Sequence, residues 1–124
     1  ERGLRHYDPS TRNLLDLGAA ALMKYQYGLP VVVDPSHAAG RRDLIAPLSR
    51  AAIAMGVDGL MIETHPDPGL AKSDAAQALS SEELKELSAS LGVHPARAPY
   101  QGTETALPFN PNTAEPLSVQ RSLS

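Results

Sequence analysis

Three polar clusters hold the residues best suited to chemistry: Asp34-Pro35-Ser36-His37, Glu63-Thr64-His65-Pro66 and Lys72-Ser73-Asp74. One imidazole and two carboxylates, from His37, Glu63 and Asp74, make a mixed nitrogen and oxygen donor set. Such a set suits a borderline divalent cation such as Mn, Fe, Co or Zn. Three ligands leave coordination positions open for a fourth residue, water or substrate. Arginine supplies a second kind of chemistry. Arg2 and Arg5 flank Gly3, which sets two potential phosphate forks beside a residue that permits close backbone approach. Arg41 and Arg42 fall near a helix start, where the helix dipole disfavours cations unless an anion binds nearby. Spacing alone leaves plainer roles open. A strand-end histidine is commonly a hydrogen-bonded structural residue. Asp34 before Pro35 suits a turn, Asp74 suits a loop or helix cap, and His65 before Pro66 suits packing. His6 and His94 suit solvated loops, and the arginines suit solvent.

The elements that must position these clusters follow from the hydrophobic pattern. Leu14, Leu15, Leu17, Ala21, Leu22 and Tyr25 recur at helical spacing and predict a helix over 10–25, capped by Asp8 or Ser10 and ended by Gly28 and Pro30. Pro30-Val31-Val32-Val33 is an unbroken β-branched run, apolar on both faces, and reads as a strand of a buried parallel sheet. Pro47 cannot lie deep inside a regular helix, so a helical turn is expected near 41–45, with a main helix from about Pro47 to Met55 stopped by Gly56. Gly59-Leu60-Met61-Ile62 reads as a second buried strand, residues 66–80 as a polar loop, and Ser80 or Ser81 as the cap of a helix reaching about Ala89. Short buried strands joined by helices imply right-handed parallel crossovers. Both strands then end in polar clusters at their carboxyl ends, where ligands bind in parallel α/β proteins. Adjacent strands would bring His37 and Glu63 within several ångströms of each other.

Composition narrows the function classes. The 124 residues carry a formal net charge of −3, no Cys, no Trp, one Phe and four Tyr. A mildly acidic chain with few aromatics is poorly suited to nucleic acid, whether duplex or single-stranded. Zero Cys removes disulfides and thiolate metal ligands from this chain. No apolar run approaches the roughly 18 residues that span a bilayer. The opening at Glu1-Arg2, without Met or an apolar lead-in, gives the expectation of an incomplete polypeptide with a cytoplasmic home. The length supports one modest domain. Two strands alone make no stable sheet and leave open edges, so low stability or self-association is expected of the isolated chain. Residues 94–124 hold Pro95, Pro99, Pro108, Pro111 and Pro116 and show no period, which reads as an extended tail after a domain over 1–93.

The order of the motifs adds a resemblance. E-R-G-L-R at 1–5, T-R-N-L-L-D-L at 11–17, L-P-V-V-V-D-P-S-H-A-A-G-R-R-D-L at 29–44, P-L-S-R-A-A-I-A at 47–54, D-G-L-M-I-E-T-H-P at 58–66 and L-A-K-S-D-A-A-Q-A-L at 70–79 follow one another. Together they resemble the C-terminal part of type I 3-deoxy-7-phosphoheptulonate (DAHP) synthases, over about residues 1–93. The resemblance implies a (β/α)8 barrel of which this chain holds about the last two strands and three helices. It implies a metal-dependent condensation of phosphoenolpyruvate with erythrose 4-phosphate, the opening step of the shikimate pathway, in a homo-oligomeric parent. By motif position, His37, Glu63 and Asp74 look like three of the four metal ligands, His37 could also touch the reacting centre, and Arg2 looks like the arginine that holds the phosphate of phosphoenolpyruvate. The family's fourth ligand is a Cys, and its K-P-R-T-S segment holds the aldose phosphate; neither is present in this chain. The expectation is a parent synthase of which these residues alone are inactive. The alternatives are a sibling KDO-8-phosphate synthase, or a non-catalytic barrel piece that acts in binding.

Overall fold

The computed structural model describes residues 1–93. The reading of 94–124 as an extended tail, the domain division placed there and the solvated role of His94 lie outside the described residues. The first helix, α1 (Leu17–Ala21), runs without a break into a π-helical turn over Leu22–Gln26. Its N-cap is Asp16, whose carboxylate accepts the Ala19 N–H at 2.7 Å. The expected helix start at Ser10 is therefore corrected by about seven residues. Residues 11–14 instead form a non-helical strap. Leu14 pairs antiparallel with Leu4, and the Arg12 and Asn13 N–H groups donate to the Ala39 and Ala38 carbonyls at 3.0 and 2.8 Å. Those long-range bonds satisfy backbone groups that a helix would otherwise have to pair locally.

Strands β1 (Val32–Val33) and β2 (Gly59–Leu60) form a parallel pair in the register Val32↔Gly59 and Val33↔Leu60. The ladder is prolonged by Asp58 N–H to the Val31 carbonyl and Met61 N–H to the Val33 carbonyl. The Val32 carbonyl points the other way and accepts from the Glu1 amino group at 2.8 Å, while Asp34 N–H donates to the Glu1 carbonyl. The start of the chain thus lies along the outer edge of β1. Between the strands come α2 (Pro35–Ala39), a 3-10 turn (Arg42–Leu44) and α3 (Ile45–Met55). Pro47 is the third residue of α3, in the first turn, where a missing N–H removes no intrahelical bond. Gly56 closes α3 at φ 91°, and an added Cβ there would stand 2.6 Å from the Tyr25 hydroxyl, which donates to the Met55 carbonyl. The last helix, α4 (Ser81–Leu91), opens on a reciprocal cap. Glu83 N–H donates to Ser80 Oγ, and Ser80 N–H donates to the Glu83 carboxylate, holding that carboxyl below its usual range.

Two apolar clusters support this frame. Val31 and Val33 point to one face of the sheet and pack with Ala20 and Ala52, flanked by Leu17, Met55 and Leu60. Ile45, Leu79 and Leu87 form the second, between α3 and α4. The other sheet face differs from the sequence expectation of burial on both sides. Val32 is 46% exposed and Met61 55% exposed, because among the described residues no layer packs over them. No described helix is long and apolar enough to cross a membrane.

Asp58 staples the loop before β2 to the rest. Its carboxylate accepts from Lys24 Nζ and from the Val31 N–H, each at 2.8 Å. The Lys24 hydrogen bond first, then the Val31 bond, hold this carboxyl below its ordinary range. A depressed folded pKa contributes stability in full above the unfolded value, about 3.9, and loses it as pH falls through the folded value. Thermal unfolding from pH 6 down to pH 2 should show that loss, and Asp58→Asn should flatten the acid limb while lowering the midpoint at pH 6.

Candidate metal centre

The site is built at the carboxyl ends of the two strands. Asp34 leaves β1 and caps α2, with Pro35 at the first helical position. Its Oδ1 accepts the His37 N–H at 2.9 Å, and its Oδ2 lies 2.8 Å from His37 Nδ1. Asp34 is 3% exposed. A carboxylate is an acceptor only, so Nδ1 is the ring nitrogen that donates to Asp34, which leaves Nε2 turned toward Glu63 and Asp74. Asp34-Pro35-Ser36-His37 is therefore a capped helix start rather than a plain turn. The signal was legible as Asp followed by Pro.

Ser36 is fully buried, and its Oγ accepts the Glu63 N–H at 3.0 Å, which pins the segment beyond β2 to the helix after β1. The loop 66–79 returns to the same place. Leu79 N–H donates to the Glu63 carbonyl, and His65 N–H donates to the Leu79 carbonyl. Asp74 stands at φ 57°, the left-handed region that costs a non-glycine residue about 1–2 kcal/mol. Its carbonyl accepts the Gln77 and Ala78 N–H groups, and its Oδ1 accepts from Arg12 Nη1 at 2.8 Å and Gln77 Nε2 at 2.6 Å. The Arg12 hydrogen bond is the main reason that this carboxyl sits below its ordinary range.

These anchors bring together the three residues singled out by donor type. His37 Nε2 lies 3.9 Å from Glu63 Oε2 and 3.7 Å from Asp74 Oδ2. One ligand atom from each lies within 4.8 Å of the others, and all three residues are half-buried. These distances exceed hydrogen-bond range. They approach the spacing of ligands that share one ion, since bonds of about 2.0–2.2 Å put ligands about 3–3.5 Å apart. One ring nitrogen and two carboxylates turned toward one another form a mixed donor set that fits a divalent metal. Arg2 borders the cluster, with Nε 3.5 Å from Asp34 Oδ2 and a side chain 62% exposed. The close approach at Gly3 is to Asn13, whose Cβ lies 2.5 Å from where a Gly3 Cβ would stand.

Other candidates fall elsewhere. His65 Nδ1 accepts the Asp67 N–H, which makes it a turn residue outside the cluster. Arg41 forks onto Asp43 at 2.8 and 3.1 Å, and Arg42 faces Glu83 at 3.9 Å. The carboxylates of Asp43 and Glu83 thus face these two arginines near the helix start. Sequence reasoning gave no role to Arg12 or Gln77. Each acts through a contact with Asp74, and for Arg12 that contact crosses 62 positions of chain, which no local pattern encodes.

Residues 1–94 match the DAHP synthetase I family. The chain belongs to that family. It is 52% identical over 87 residues to phospho-2-dehydro-3-deoxyheptonate aldolase of Thermotoga maritima, across 70% of this chain and 26% of that protein. It is 40% identical over 84 residues to 2-dehydro-3-deoxyphosphooctonate aldolase of Syntrophotalea carbinolica, across 59% and 30% of the two chains. The crystal structure of the Thermotoga maritima DAHP synthase superposes with a TM-score of 0.72 at 49% identity, covering 74% of this chain and 27% of that one. The truncated form of the synthase from the same organism superposes at 0.64. The described mixed α/β fold is thus shared with DAHP synthases, and the chain spans between a quarter and two-fifths of the relatives it matches.

The Asp34 cap is testable within this chain. Asp34→Ala removes the cap and leaves the His37 N–H unpaired, and should cost about 1–3 kcal/mol in denaturant unfolding. Asp34→Asn, which keeps an accepting oxygen at the cap, should lose less than Asp34→Ala.

Proposed function

We propose that the chain is the C-terminal portion of a DAHP synthase barrel, a transferase that condenses phosphoenolpyruvate with erythrose 4-phosphate at the start of the shikimate pathway. The observation that carries this reading is the convergence of His37, Glu63 and Asp74 at the strand ends of a chain belonging to the DAHP synthetase I family. In this reading residues 1–93 supply the last two (β/α) units and residues 94–124 a tail. The parent is a cytoplasmic homo-oligomer.

His37 Nε2 and the Glu63 and Asp74 carboxylates would hold a divalent cation, Mn, Fe, Co or Zn. When bound, such a cation polarises a carbonyl or activates water. The remaining work belongs to side chains of this chain. Asp34 holds the proton at His37 Nδ1 and so keeps Nε2 free to coordinate or to meet the reacting centre. Arg2 offers its exposed guanidinium to the phosphate of phosphoenolpyruvate, matching a planar fork to phosphate oxygens, while Asp34 holds one side of that fork. The family's Cys ligand and aldose-phosphate segment have no counterpart in the chain, so residues 1–124 alone turn over nothing in this reading. The relatives of about 40% identity named 2-dehydro-3-deoxyphosphooctonate aldolase support a second reading, a sibling that acts on arabinose 5-phosphate.

A chimera that joins the N-terminal part of the Thermotoga maritima synthase to this chain tests the catalytic reading. It should condense phosphoenolpyruvate with erythrose 4-phosphate, lose activity to a chelator and regain it with Mn²⁺ or Co²⁺. His37→Ala, Glu63→Ala and Asp74→Ala should each lower kcat by more than the roughly 10–100-fold typical of outer-shell changes. A folded, metal-loaded chimera without turnover would favour the binding-only piece.

A further inference from the structure

We propose that Arg12 is a positioning residue for the metal centre: with Gln77 it engages one oxygen of Asp74, so that Asp74 offers only Oδ2 to a cation shared with His37 and Glu63. This rests on the metal-centre reading above and goes beyond its three ligands. Arg12 Nη1 and Gln77 Nε2 both donate to Asp74 Oδ1, at 2.8 and 2.6 Å. Oδ2 is the oxygen that faces His37 Nε2. A carboxylate free to rotate could bind in either denticity, whereas one with Oδ1 held by two donors coordinates through a single, aimed oxygen.

The strap that carries Arg12 also grips the histidine. Arg12 N–H donates to the Ala39 carbonyl, and Asn13 Nδ2 donates to the carbonyl of His37 itself at 2.9 Å. Gly40 lets the strap come this close: a Cβ there would stand 2.6 Å from the Arg12 Cβ. Residues 12 and 13 therefore join two ligands from separate segments, one through its side chain and one through its backbone. The Arg12 side chain is itself 54% exposed, so burial of its own apolar surface does not explain why it reaches across to Asp74.

The test is Co²⁺ titration of the 124-residue chain, read by calorimetry and by the visible spectrum of the bound ion. Arg12→Met should weaken Co²⁺ binding by about 10–100-fold and change the spectrum of the Co²⁺ form. The circular dichroism of its metal-free form should match the parent. Arg12→Lys, which restores one donor, should recover part of the affinity. Parent-like affinity and spectrum in Arg12→Met would overturn the inference. If Arg12→Met does not fold, Gln77→Met removes the other donor to the same oxygen, and unchanged binding there overturns it equally. His37→Ala separates the two levels of the argument. Should the parent fail to bind Co²⁺, or bind it undiminished in His37→Ala, the metal centre itself falls and this inference with it. Should His37→Ala abolish binding while Arg12→Met leaves it intact, only the positioning role falls.

Discussion

The site depends on a single buried carboxylate. Asp34 sits where β1 ends, caps α2, fixes the proton of His37 on Nδ1 and faces the guanidinium of Arg2. Burying an unpaired charge is costly, and here the Asp34 carboxylate is met by the His37 N–H, His37 Nδ1 and the Arg2 guanidinium. That requirement sets the direction of the imidazole. It also sets where Arg2 can lie, because the Glu1 carbonyl next to it is tied to the Asp34 N–H. One residue thus links the edge of the sheet, the first turn of a helix and the atom that faces Glu63 and Asp74.

Around this point, the loops are held by exchange of polar contacts rather than by apolar bulk. Ser36 holds Glu63, Leu79 holds Glu63 and His65, and the strap at 11–14 holds α2 and Asp74. The apolar clusters lie behind, on the helix-covered face of the sheet and between α3 and α4. This division is physically sensible for a ligand site. Packing supplies rigidity at a distance, while directional bonds set the angles of the groups that would meet a cation.

Much of the frame was legible in the sequence. The β-branched run at Val31–Val33 and the run from Gly59 produced strands, Gly56 stopped α3, and Ser80 with Glu83 marked the start of α4. These are local signals, read within a few residues by pattern and capping chemistry. The helix predicted from Ser10 failed because its apolar spacing was helical while its backbone partners were distant. Leu4, Ala38 and Ala39 take the hydrogen bonds of residues 12–14, and Asp16 then caps the shorter helix.

By itself the sequence determined the donor types, the placement of His37 and Glu63 just beyond two strands, and a family resemblance over residues 1–93 that the match over 1–94 bears out. Strand order and parallel pairing then followed from element length and connection. Only the tertiary structure decided how Asp74 is brought to the cluster and aimed. Asp74 reaches His37 because a left-handed backbone turn, a return of the chain beside the end of β2 and an arginine 62 positions away act together. The last two are contacts between segments separated in sequence, and their free energy exists only once the chain has closed on itself.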